Sequence, residues 1–190
     1  MSTQPIQKYT VDEYLAIEAT SELRYQFYQG EIFAMAGGSL SHTRIAHNLH
    51  CLANQELRDT GCEYLGEGMR VYCSPSLYTY PDGLIVCGEP FLDGRYTPSL
   101  VNPRVIFDIL SPSTENFDRG QKFIQYQRIA TLCDYVLISQ FEPHCDHYVK
   151  TEHEGWKLRC IDGLDARIEL SCVSCELPLR DLYDRVVFES

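Results

Sequence analysis

Two aspartates stand where an aspartate is costly. In Val105-Ile106-Phe107-Asp108-Ile109-Leu110, strongly apolar residues surround one carboxylate, and the run stops at Ser111-Pro112. Upstream, Tyr80-Pro81-Asp82-Gly83 leads straight into the apolar Leu84-Ile85-Val86. Alternation along a strand puts Ile106, Asp108 and Leu110 on one face, and apolar residues on both faces suit a central strand. A lone ionised carboxylate there loses much of its hydration or is driven toward its neutral form. Two such charges side by side cost more, unless a lysine or a divalent cation with oxygen ligands compensates. The alternative is structural: Asp82 caps the Pro-Gly turn and Asp108 hydrogen-bonds at a strand end. Periodicity leaves both readings open.

The elements that must position these acids follow from the pattern. Thr10 and Glu13 in "TVDEYLAIEA" form a capping box that opens a short helix. "RYQFYQ-GE-IFAMA" reads as two strands around a turn at Gln29-Gly30. In "SHTRIAHNLHCLANQELRDTG", Ile45, Leu49, Leu52, Ala53 and Leu57 recur at helical spacing, with Ser41 as cap and Gly61 as stop. "CEYLG", "MRVYC", "GLIVC" and "RVIFDIL" are strands. A helix over about Arg119 to Ala130 places Phe123, Tyr126 and Ala130 on one face. "DYVLIS", "HCDHYVK", "WKLRCI" and "ARIEL" are further strands, with a Glu154-Gly155 turn, and "LPLRDLYDRV" is a helical turn or two. This order defines an α/β (α+β) class with a mixed central sheet. No repeat or linker interrupts residues 1–190, which read as one domain.

Composition narrows the partners. The 190 residues are 44% hydrophobic and 23% charged, the balance of a globular chain. No run approaches the roughly 18 apolar residues of a membrane span, and "MSTQPIQKYTVDEYLAIEAT" lacks the basic and apolar regions of a secretory signal, so a cytoplasmic location is expected. The net charge of −11 disfavours a broad grip on nucleic-acid backbone, while leaving room for a local site built around a metal. Nine scattered cysteines without a signal argue against a disulfide framework. Cys172 and Cys175 form the only close pair and lack the partners of a zinc site; the thiols are read as small hydrophobes.

The segments "YPDGLIV" and "NPRVIFDILSPSTENFDRGQKFIQYQRI", with "RYQFYQGEIFAMAGGSLSH" and "DYVLISQ", resemble the Uma-type restriction endonuclease family of the PD-(D/E)XK nuclease superfamily, from about Tyr9 to Tyr148. The resemblance implies a restriction-endonuclease-like mixed sheet flanked by helices and a Mg²⁺ (or Mn²⁺) site for phosphodiester hydrolysis in DNA. Asp82, Asp108 and the Ile109 carbonyl would hold the metal. The superfamily's lysine, two residues after the second acid, is Leu110 here; Lys122 on the following helix takes its place and would orient the attacking water. From a helix edge it would touch water and phosphate rather than the core, so its removal should leave folding intact. Asp108 replaces the glutamate common in relatives, and Gln26 replaces a glutamate in the family's "YEL" segment, keeping an amide oxygen without the charge.

His42 matches a position where relatives carry histidine and could bond phosphate or a metal ligand. Arg119 and Arg128, near Lys122, are candidate phosphate contacts. Each has a plain structural alternative, as have His47 and His50 on a solvated helix face and Trp156 in a hairpin. A homodimer is expected, because cutting both strands of a duplex calls for two sites. The competing reading is a catalytically idle binding or structural domain on the same scaffold; a cysteine-based redox or zinc protein is a more distant third.

Overall fold

The capping box forms as the sequence requires: Thr10 Oγ1 accepts from the Glu13 N–H (3.2 Å), and the Thr10 N–H donates to Glu13 Oε2 (2.7 Å). The computed structural model describes residues 7–35, 37–95 and 97–188. The first residues of the leader reading, and Ala36 at the end of the second expected strand, lie outside them.

Helix α1 (Val11–Thr20) is followed by the hairpin β1 (Tyr25–Tyr28) and β2 (Glu31–Ala34). Its turn holds Gln29 and Gly30 at φ 49° and 87°, the paired positive values of a tight hairpin turn. Helix α2 (Leu40–Glu56) buries Ile45, Leu49 and Ala53. Its cap is Ser39 rather than the expected Ser41, because Ser39 Oγ accepts from the His42 N–H (3.0 Å). Then come β3 (Cys62–Gly66), β4 (Val71–Ser74), β5 (Leu77–Thr79), β6 (Gly83–Cys87) and β7 (Val105–Ile109). The helix expected over Arg119 to Ala130 begins and ends earlier and is irregular: α3 (Glu115–Phe117), a π-helical turn over Asp118–Lys122, and α4 (Phe123–Tyr126), with Ala130 exposed beyond its end. The chain closes with β8 (Asp134–Ile138), β9 (His144–Thr151), β10 (Gly155–Asp162), β11 (Arg167–Leu170), β12 (Cys175–Pro178) and α5 (Leu179–Leu182).

Six strands form the main sheet in the order β10-β9-β8-β7-β6-β3. β7 and β8 pair in parallel and the other neighbours antiparallel, so the sheet is mixed as expected. A parallel pair needs a crossover, and the irregular helical segment supplies it. One face of the sheet packs Phe107, Ile109, Ile85 and Val136 against α2, α5 and the β11–β12 hairpin. The other packs Ile106, Leu84 and Tyr135 against Phe123 and Tyr126 of α4 and against β4 and β5. Those last two belong to a second sheet, β2-β1-β5-β4, whose far side carries α1 through Tyr14, Phe27 and Tyr78.

Cys62 and Cys87 are joined in a disulfide, which corrects the reading of all nine cysteines as free. The cause lies in pairing: the β3–β6 register sets these residues directly opposite each other. Sequence spacing does not reveal that register.

The same register explains Gly83. A methyl group built there would collide with the buried Tyr64 ring, whose hydroxyl donates to the Asp82 carbonyl (3.4 Å). Gly83→Ala is therefore expected to cost about 1–3 kcal/mol through overpacking, read as a lower midpoint in urea; an unchanged midpoint would mean that Tyr64 moves aside freely.

Candidate active site

β7 is buried along its whole length, Asp108 included. Gly83 pairs with Phe107, and one further step of that register sets Asp82 across from Asp108, the spacing at which cross-strand side chains meet. The Ile109 N–H donates to Asp82 Oδ2 (2.6 Å), which ties the two strand ends together. Both acids lie on the sheet face that α4 and the π-helical turn cover.

Lys122 reaches into this face. Its ammonium stands 2.9 Å from Asp108 Oδ2 and 3.1 Å from Asp118 Oδ1, and the residue is only 6% exposed. This corrects the expectation of a lysine on a helix edge. Asp118 opens the π-helical turn that Lys122 closes, an irregularity often found at functional sites. Phe123 stacks on the Tyr135 ring, tilts against Tyr148 and meets Trp156 edge-on, which seats the segment on the sheet. The Tyr135 hydroxyl, fully buried, donates to Asp108 Oδ2 (2.8 Å).

Three carboxylates therefore share one ammonium. Burial pushes Asp108 above the usual carboxylate range, with Lys122 opposing and Asp118 adding to the rise. Burial and the neighbouring Asp108 charge lift Asp82 to about 7, against the Ile109 N–H and Lys122. For Lys122, burial alone would lower the pKa, but Asp108 and Asp118 outweigh it and hold the ammonium well above its ordinary value.

A pH dependence follows. A folded carboxyl with a raised pKa binds more protons than its unfolded counterpart, so stability falls as pH rises from the unfolded value near 3.9 through the folded one. The metal-free protein is expected to lose thermal stability between about pH 4 and about pH 7 from the Asp82 contribution. Thermal unfolding of the wild type against Asp82→Asn in chelator tests this; parallel profiles for the two proteins would contradict it.

His42 comes from the start of α2, with Nε2 3.1 Å from Asp82 Oδ1. Burial lowers its pKa, and Glu67 pulls the other way. Both members of this contact are thus pressed toward their neutral forms. Gln26 lies on β1, where its Oε1 accepts from the Thr79 hydroxyl (2.8 Å), just upstream of Pro81-Asp82. The two arginines are placed elsewhere. Arg119 pairs with Glu115 (2.8 Å) and with Asp146 on β9, two strands from Asp108 and so roughly 10 Å away. Arg128 is exposed past the end of α4, where the chain turns back: the Thr131 hydroxyl bonds the Pro103 carbonyl at the opposite end of β7 from Asp108. His47 is exposed, 3.7 Å from Cys51 Sγ, and the exposed His50 packs edge-on to Tyr64.

Three contributors escape a reading of the sequence. Tyr135 looks like ordinary strand core. Gln140 is buried, donating to the Leu110 carbonyl (2.6 Å) and accepting from Ser39 Oγ, so it pins the α2 cap to the end of β7. Asp118 had a local signal, four residues before Lys122, the spacing of a helical ion pair.

Among the described residues no group of three or more His, Cys, Asp or Glu side chains forms a ready-made metal shell. The acid pair still suits a hard cation. Lys122 and Tyr135 both approach Oδ2 of Asp108 and leave Oδ1 available, the Asp82 side chain keeps 21% of its area open, and the cluster carries more carboxylates than ammonium. Mg²⁺ commonly takes one or two carboxylates and completes its shell with water and substrate phosphate.

A mixed sheet with two acids at facing strand ends and a lysine from the crossover between strands defines a restriction-endonuclease-like protein. A family model described as "Putative restriction endonuclease" (Uma2) matches residues 11–180, and the chain belongs to that family. It is 36% identical over 163 residues to "Uncharacterized protein sll1609" of Synechocystis sp., covering 85% of this chain and 92% of that one. It is 30% identical over 185 residues to "Uncharacterized protein slr1290" of the same organism, covering 97% and 96%. The fold is shared with a crystal structure titled "a putative nuclease belonging to DUF820" from Anabaena variabilis, at a TM-score of 0.75 and 17% identity over 94% of this chain and 99% of that one. No helix among the described residues is long and apolar enough to cross a membrane.

Proposed function

We propose that this protein is a Mg²⁺- or Mn²⁺-dependent endonuclease that hydrolyses phosphodiester bonds in DNA. The observation that carries this reading is the convergence of Asp82, Asp108 and Lys122 on one buried sheet face. Asp82, Asp108 and the Ile109 carbonyl would hold the cation, which supplies Lewis-acid polarisation of the phosphate and acidification of water. Lys122 stays protonated between its two carboxylates, so its role is to orient the incoming water and stabilise charge on the phosphate rather than to accept a proton. His42, whose pKa burial lowers, stands with Nε2 3.1 Å from Asp82 Oδ1 and would hold that carboxylate in place at the mouth of the site. Tyr135 and Asp118 fix Asp108 and Lys122 from behind. Cutting both strands of a duplex would use two copies of the chain.

A second reading, a catalytically idle domain, is favoured by one observation: the Lys122 ammonium is enclosed by two carboxylates and is not offered openly to a substrate. Supercoiled plasmid incubated with Mg²⁺, Mn²⁺ or chelator decides between them. Metal-dependent nicking or linearisation that Asp108→Asn abolishes is expected. Metal binding by calorimetry without cleavage of duplex or single-stranded DNA would establish the idle domain instead.

A further inference from the structure

The disulfide lies in a different part of the molecule from the acidic centre. Cys62 and Cys87 are half-buried and line a cavity of about 600 Å³, whose wall also carries Arg104 and Cys172. Arg104 precedes β7, at the opposite end of that strand from Asp108. Among the described residues the Arg104 guanidinium meets no carboxylate, although its charge reaches the Cys172 thiol. Asn102 and Thr131, also on the wall, spend their polar groups on the backbone of Glu89, Phe91 and Pro103. The cavity thus offers one half-buried cation beside one accessible disulfide.

Cys172 does not open that disulfide from within. Its thiol donates to Asp134 Oδ2 (2.8 Å), and the other Asp134 oxygen is held by the buried His147 (2.6 Å). Burial and the Asp134 carboxylate keep the thiol protonated, and the thiolate is the form that attacks. An attacking group must come from outside.

We infer that this cavity is a thiol-exchange site, in which a small thiol bearing a carboxylate docks its carboxylate on Arg104 and exchanges with the Cys62–Cys87 disulfide. The thiolate attacks one cysteine sulfur, forming a mixed disulfide and expelling the other cysteine as a thiolate, which takes a proton from water. A second thiolate attacks the small molecule's sulfur in the mixed disulfide. It releases the symmetric small-molecule disulfide and leaves Cys62 and Cys87 as thiols. Two electrons pass from the two small thiols to the protein, and no further oxidant or reductant is needed. The opened form lacks the covalent tie between the edge strand β3 and β6, the strand that Asp82 leads into.

The test uses the full chain, purified without reductant, with the Cys62–Cys87 bond quantified by non-reducing peptide mapping. Reduced glutathione, which carries two carboxylates, is compared with neutral 2-mercaptoethanol. Arg104→Gln is expected to lower the glutathione-to-mercaptoethanol rate ratio about fivefold, the weight of one accessible ion pair, with the mercaptoethanol rate unchanged. A glutathione adduct should be trapped on Cys62 or Cys87, and opening should lower the melting temperature by on the order of 5–10 °C. Should the variant fold poorly, raised salt on the wild type replaces it and should slow glutathione alone. Free thiols at both positions after purification, an unchanged ratio, or adducts confined to the exposed Cys51 and Cys160 would each overturn the inference.

Discussion

Lys122→Ala is expected to destabilise the fold by about 3–5 kcal/mol, the usual result of stripping a buried charge cluster of one partner. Asp108 and Asp118 each lose their closest cation, and Asp82 loses part of its compensation. The sequence alone suggested a substitution that lowers cleavage but leaves folding intact; burial reverses the expectation about folding. The effect should depend on pH with a definite sign. Without Lys122 the folded carboxyls bind protons at still higher pH, so the deficit should shrink as the solution is acidified from pH 8 toward pH 5. Urea unfolding of both proteins across that range is the measurement. A variant as stable as the wild type at pH 8 would show that the ammonium does little for the fold. Loss of cleavage in this variant would then count as evidence of a role in catalysis, and otherwise would not.

Addition of Mg²⁺ or Mn²⁺ should raise the melting temperature of the wild type. A ligand that binds only the native state adds about 2.7 kcal/mol at 100 times its dissociation constant, roughly 5–10 °C for a chain of this length. Asp108→Asn should abolish the gain while leaving the metal-free protein equally or more stable. The amide oxygen can still accept from Tyr135, and Lys122 keeps Asp118 at 3.1 Å. One of three mutually repelling carboxylates is gone. A destabilised variant beside a wild type indifferent to metal would make Asp108 a structural residue.

The parts of this molecule that sequence reveals are those set by neighbours in the chain. The Thr10–Glu13 box, the Gln29-Gly30 turn and the α2 stripe all follow from spacings of a few residues. The acid pair was legible because a charge in an apolar run is conspicuous at any distance. What stayed hidden depends on strand register or tertiary packing. Tyr135 becomes a ligand of Asp108 only because β8 lies parallel to β7; Cys62 meets Cys87 only through one antiparallel register; Arg119 is drawn off by Asp146 on a strand far along the chain. Helical spacing placed Ala130 on a buried face, but the segment ends at Tyr126 after its π-helical turn, and such a turn has no simple signature in residue types.

The parallel pairing of β7 and β8 has a consequence for how the protein comes into being. Because the crossover that joins them carries Lys122 and Asp118, one continuous stretch from Asp82 to Tyr135 contains both acids, the ammonium held between Asp108 and Asp118, and the tyrosine behind. Short loops close with little entropy loss, and contacts close in sequence favour fast assembly. The charged centre can therefore take shape while the β9–β10 and β11–β12 hairpins are still emerging during synthesis. His42 approaches from a helix already made, so the nascent chain holds His42, both acids, Asp118 and Lys122 before Tyr135 and Gln140 follow.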